Sequence, residues 1–159
     1  MQRILITLCL GLALTACSVA TPTPQLAKVS ETEVTGTQAE RVTAISKVIT
    51  NKGTRPLPSP LLDAHLLERQ NGDGNLGPSD FTSFITLDVD PSTVAAWRAV
   101  GTALVDKPSF SAPTTPPAWW VTPAAFTTLS FHDVHWFTDR QGWMGMSSDG
   151  HIYMMTFTS

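Results

Sequence analysis

Thiols are nearly missing from this chain. Only two of its 159 residues are cysteine, and both, Cys9 and Cys17, lie near the N-terminus. From residue 18 onward this excludes internal disulfides, thiolate-bound zinc and a thiol nucleophile, so stability there rests on packing. Charge is also scarce. Asp, Glu, Lys and Arg make up 14 % of the chain, and 10 basic against 13 acidic side chains leave a net charge of −3. A mildly acidic surface argues against nucleic acid and anionic lipid as electrostatic partners. No apolar run reaches the ~20 residues of a membrane-spanning helix. Three chemical signatures are absent as well: the Gly-x-x-x-x-Gly-Lys phosphate loop, the His-Glu-x-x-His zinc helix and the Gly-x-Ser-x-Gly nucleophile elbow. No repeat period is evident.

The first seventeen residues are the most informative ones present. Arg3 supplies a positive start, Ile4–Leu14 an apolar stretch, and Thr15-Ala16 the small residues before a cleavage point. Leu14-Thr15-Ala16-Cys17 then resembles the lipobox of bacterial lipoproteins, and the whole layout resembles that of small members of that class. The resemblance implies cleavage after Ala16, a diacylglycerol on Cys17 and export to the cell envelope. It also implies that Cys9 leaves with the signal peptide, residues 1–16. Ser18, rather than Asp, follows the cysteine, which favours the outer membrane in a two-membrane bacterium. Two or three acyl chains hold a protein on a bilayer without help from a basic patch.

Residues 17–37 are rich in Thr, Pro and Ala and read as a disordered tether. In 38–56 a short helix precedes a linker. Val42, Ile45, Val48 and Ile49 fit a helical stripe, although the β-branched content also fits a strand. Residues 57–159 read as one α+β domain, a small, mainly antiparallel sheet with one or two packed helices and a C-terminal hairpin. Leu61–Arg69 is a strand that also tolerates helical spacing. Phe81–Val89 alternates cleanly and predicts a strand with one buried face. Asp90-Pro91 starts a helix with Val94, Trp97, Gly101 and Leu104 on one side. A Pro-rich connection spans 106–118, Thr122-Pro123 starts a second short helix, and Leu129–Phe137 reads as strand. Asp149-Gly150 predicts a two-residue hairpin turn. That turn pairs Ser148 with His151, Met146 with Tyr153, Met144 with Met155 and Gly142 with Phe157, and this set is assigned to the core.

Candidate sites are few. Asn71, Asp73 and Asn75 alternate as in a calcium loop, but Leu76 stands where Gly is needed and Thr82 where Glu is needed, so a plain turn fits better. His132, Asp133, His135 and Asp139 form a His/acid cluster, yet strand geometry sends His132 and His135 to opposite faces. No catalytic, metal or cofactor site is therefore expected. Trp119, Trp120 and Trp143 form a candidate binding surface for an envelope protein or glycan. The leading expectation is a lipid-anchored, non-catalytic binding or structural domain. The alternatives are a small envelope hydrolase using His132, Asp133 and His135, and an inhibitor or immunity-type lipoprotein.

Overall fold

The computed structural model describes residues 29–50, 55–72 and 80–158. The segment expected as a signal peptide, Cys17 and the core of the Asn71–Asp80 loop lie outside the described residues. Six strands form one sheet: β1 (Val29–Glu33), β2 (Leu61–Asn71), β3 (Asp80–Val89), β4 (Ser130–His132), β5 (Gln141–Met146) and β6 (His151–Phe157). Their order is β1-β2-β3-β6-β5-β4, and every neighbouring pair is antiparallel. Two three-stranded meanders thus meet along β3 and β6. The helices are α1 (Gln38–Ile49), α2 (Val94–Val100) and the one-turn α3 (Pro123–Phe126). This is the expected small α+β fold.

Local chemistry explains the helix starts. Thr37 and Glu40 form a reciprocal capping box on α1. Asp90 accepts from the Ser92 N–H and Pro91 opens a 3₁₀ turn that leads into α2. Thr122 caps α3 in front of Pro123. Arg41 of α1 clamps the edge of β2. Its guanidinium meets both Asp63 oxygens at 2.7 and 2.6 Å and donates to the Ala64 carbonyl at 3.1 Å. A bidentate pair of this kind fixes orientation as well as contact.

Both faces of the sheet are covered. On the first, Leu66, Ile85, Leu87, Met144, Met146, Ile152 and Met154 pack under Ile45 and Ile49 of α1 and Val94 and Trp97 of α2. On the second, Leu67, Phe84 and Trp143 pack under Trp120, Val121, Phe126, Leu129 and Phe131. Phe84 and Ile85, neighbours pointing opposite ways, are 0 % and 2 % exposed. The expectation of one buried face on Phe81–Val89 is corrected, because the connection after α2 folds back over the second face. Leu104 crosses with it and joins the second core, away from Trp97.

Three boundaries also move. The segment expected as tether carries β1, which pairs with β2 from Val29↔Asn71 to Glu33↔Leu67. With α1 in the core, the packed unit includes β1 and α1 and is not confined to the residues from 57 onward. The strand expected over Leu129–Phe137 stops at His132. There the Asp133 carboxylate accepts from the Thr102 and His135 N–H groups and turns the chain.

The hairpin register is one residue away from the expected one. Ser147 N–H donates to the His151 carbonyl, so the loop has three residues, Ser148, Asp149 and Gly150. Gly150 takes φ +99°, and a Cβ there would lie 2.3 Å from the Val89 carbonyl oxygen. A three-residue loop with glycine in the left-handed region is a standard alternative to the two-residue turn. Met144 consequently faces Met154 and Met146 faces Ile152 in the first core, while Trp143 and Tyr153 join the second.

Candidate functional site

The connection from α2 to β4 builds the roof of the second face. Its first residues lie beside β4, where Leu104 N–H donates to the Phe131 carbonyl. It then reaches the far edge of the sheet. Thr114 N–H donates to Glu31 of β1, and Arg69 of β2 bridges Glu31 and the Ala112 carbonyl. Trp119 and Trp120 come on the return. Trp120 stands edge-on to Phe84 at 5.2 Å and to Tyr153 at 5.9 Å, with its N–H donated to the Ser111 carbonyl. Trp119 stacks on His65 at 5.2 Å and 14°, donates to Glu33, and its carbonyl accepts from the Thr86 hydroxyl.

The roof stops short of one end of the sheet and leaves a hollow of about 280 Å³. Strand register assembles its floor: His65 lies opposite Thr86 and Thr86 opposite Tyr153, while in the next pair Asp88 lies opposite His151. Trp119, Trp120, Val121 and α3 close the other side. His151 Nδ1 meets Asp88 Oδ1 at 2.7 Å, and its Nε2 is 4.0 Å from Asp149. No other hydrogen bond reaches the Asp88 carboxylate among the described residues. Burial raises the Tyr153 phenol above its ordinary value, and the Asp149 and Asp88 carboxylates add to the shift. Asp149 is held low, first by the Ser147 hydroxyl. Beside the hollow, burial pushes Asp63 up, but Arg41 and the Ala64 N–H outweigh it and the net shift is down. No Lys or Arg lines the hollow.

The residues singled out from sequence are divided between two places: Asp133, His135 and Trp143 line an open depression of about 530 Å³ with Leu104, Gln141 and Phe157, whereas Trp119 and Trp120 line the hollow. Trp120 and Trp143 are each 4 % exposed and belong to the second core, so the three tryptophans do not form an open patch. Trp119 is partly buried and flanks the hollow. His132 is buried with Nδ1 unpartnered among the described residues, whereas His135 is exposed. Asp133 engages backbone N–H groups, and no hydrogen bond joins it to either imidazole. The three groups required by the hydrolase alternative are not brought together. Among the described residues no group of His, Asp and Glu is arranged to hold a metal ion, and no helix is long and apolar enough to cross a membrane.

Sequence reasoning missed the hollow because its parts lie on three strands. The available signal was a period of two. His65 and Leu67 alternate on β2, Thr86 and Asp88 on β3, and His151 and Tyr153 on β6. Only the pairing register aligns them. Comparison with models of known protein families, with curated proteins and with solved structures gave no match.

Proposed function

We propose that the protein is a lipid-anchored envelope domain that binds another macromolecule through the hollow on the second face. The carrying observation is the meeting of an imidazole–carboxylate pair, Asp88 and His151, with a protonated phenol and aromatic walls at an open end of the sheet. Such a mixture of apolar contact and a few convergent polar groups is what a binding pocket needs. The lipobox Leu14-Thr15-Ala16-Cys17 supports the anchor. From Cys17 to Val29 a fully extended chain spans at most about 40 Å. The partner is therefore sought in the layer next to the bilayer, as an envelope protein or a glycan.

Crosslinking in cells followed by pull-down tests the reading. The intact chain is expected to capture a partner, and a variant with Asp88→Asn and Tyr153→Phe to lose it. Absence of a partner together with a measured turnover would overturn it. Fatty-acid labelling tests the anchor. The label is expected to disappear in Cys17→Ala, and a label that persists there refutes lipidation at that residue.

A further inference from the structure

We infer that the hollow accepts an alkylammonium group, a positively charged amine on a carbon chain or ring. The inference rests on the binding role proposed above and names its ligand chemistry. Three observations converge. First, the fixed charge around the hollow has one sign. Asp88 is in it and Asp149 is beside His151, while Arg41, which shares Asp63 with His65, is held by both oxygens of that carboxylate. Among the described residues no Lys or Arg lines the hollow to meet an anionic ligand, and its His151 imidazole is already paired with Asp88. Second, Asp88 uses one oxygen on His151 and remains one-third exposed, so its other oxygen is available to a donor. Third, Trp119 and Tyr153 line the same hollow as that carboxylate, Tyr153 close enough to feel its charge. Aromatic rings favour an ammonium because their quadrupole attracts it, and the adjacent carboxylate supplies a hydrogen-bond acceptor for its N–H groups. The volume, about 280 Å³, suits an end group and not a whole large ligand.

Two sources carry this chemistry, a lysine-like side chain of a peptide and an amino sugar. The test is calorimetric titration of the full chain in neutral detergent, with the His151 ring followed by NMR. The probes are Nα-acetyl-lysine methylamide, its uncharged norleucine counterpart, glucosamine and N-acetylglucosamine. At least one ammonium probe is expected to bind with a millimolar Kd and shift His151. Its uncharged counterpart is expected to bind at least about tenfold more weakly, a gap typical of losing one charge-assisted contact. Asp88→Asn should weaken the ammonium probe by a similar factor. Which probe binds identifies the source, and either supports the inference. The inference is overturned if neither ammonium probe binds, if the uncharged partner binds equally, or if Asp88→Asn changes nothing. The charged-against-uncharged comparison uses the unaltered protein, so it decides the matter even if the variant fails to fold. Equal binding of an uncharged probe at His151 would remove the ammonium preference yet keep the hollow as a binding site. An absent cellular partner would count against the binding role itself.

Discussion

The first face of the sheet is covered by two regular helices, and the second by a long connection containing one four-residue helix. On the first face the contacts are mainly aliphatic and thioether; Trp97 Nε1 donates to Ser59 at 2.9 Å, while the Trp136 N–H at the margin of this core is buried with no partner among the described residues. On the second face rings meet rings: Trp120, Trp143, Phe126 and Phe131 contact one another edge-on or tilted. There the Trp143 N–H is buried with no partner among the described residues. A helix satisfies its own interior backbone and needs few ties to the sheet, although a recess of about 210 Å³ lined by Ile49, Ile85, Phe137 and Met154 remains on the first face. An irregular connection must be tied down at separate points, here through Glu31, Arg69, Thr86 and Glu33, and it leaves part of the face open. That opening is the hollow. The difference teaches that both faces carry a core, and that the candidate site lies on the one whose cover is irregular.

Four experiments break or sharpen this contrast. Trp97→Ala removes the largest fully buried side chain of the first core. It should cost about 3–5 kcal/mol and unfold both faces together, read as a shift of the urea midpoint. A loss confined to one face would contradict a shared cooperative unit. Gly150→Ala attacks the loop that assigns residues to faces. Positive φ and the close Val89 carbonyl should make it cost about 2–3 kcal/mol. An unchanged melting temperature would mean that the loop does not hold the register.

The edge clamp gives a smaller, pH-dependent effect. Asp63 has a lowered native pKa, so its contribution is complete above the unfolded value and is lost as pH falls through the native one. Stability should decline below about pH 4. Asp63→Asn should cost roughly 1 kcal/mol near neutrality and flatten that acid limb. An acid limb unaltered by the substitution would remove Asp63 from the account. The smallest effect belongs to the hollow. Tyr153 is the only tyrosine, so phenolate absorbance reports it alone. Its midpoint should lie above 10, and its contribution to stability should be lost as pH rises through the native midpoint. An ordinary midpoint would mean that the hollow is wetter than its geometry implies.

Much of the fold was legible in the residues. Asp90-Pro91 and Thr122-Pro123 mark helix starts because a cap needs only its own next few residues; the Thr37 and Glu40 capping box of α1 works the same way but was recognised only in the structure. Strand β3 was legible through its alternation. The second face was harder to read because Phe84 and Thr86 look like outward positions until a remote segment covers them. β1 was missed for a related reason. Its Thr- and Glu-rich sequence suits a linker, and it is held by strand pairing and by Glu31 on Arg69, not by burial of apolar side chains. The site was the least legible part. Of the predicted surface residues, Trp119 and the more deeply buried Trp120 border it from the roof, while Asp88, His151 and Tyr153 entered only through register.

By itself the sequence determined the α+β composition, the starts of α2 and α3 and the C-terminal hairpin, and its Leu14-Thr15-Ala16-Cys17 stretch resembles a lipobox. These depend on contacts within a few residues. Tertiary structure decided that both faces are buried, that the hairpin slips by one residue, and that Asp88, His151 and Tyr153 share a hollow with Trp119. Those outcomes depend on pairing between segments far apart in the chain. With side chains alternating every second residue, a shift of one position exchanges the two faces of a strand, and only the assembled sheet selects between them.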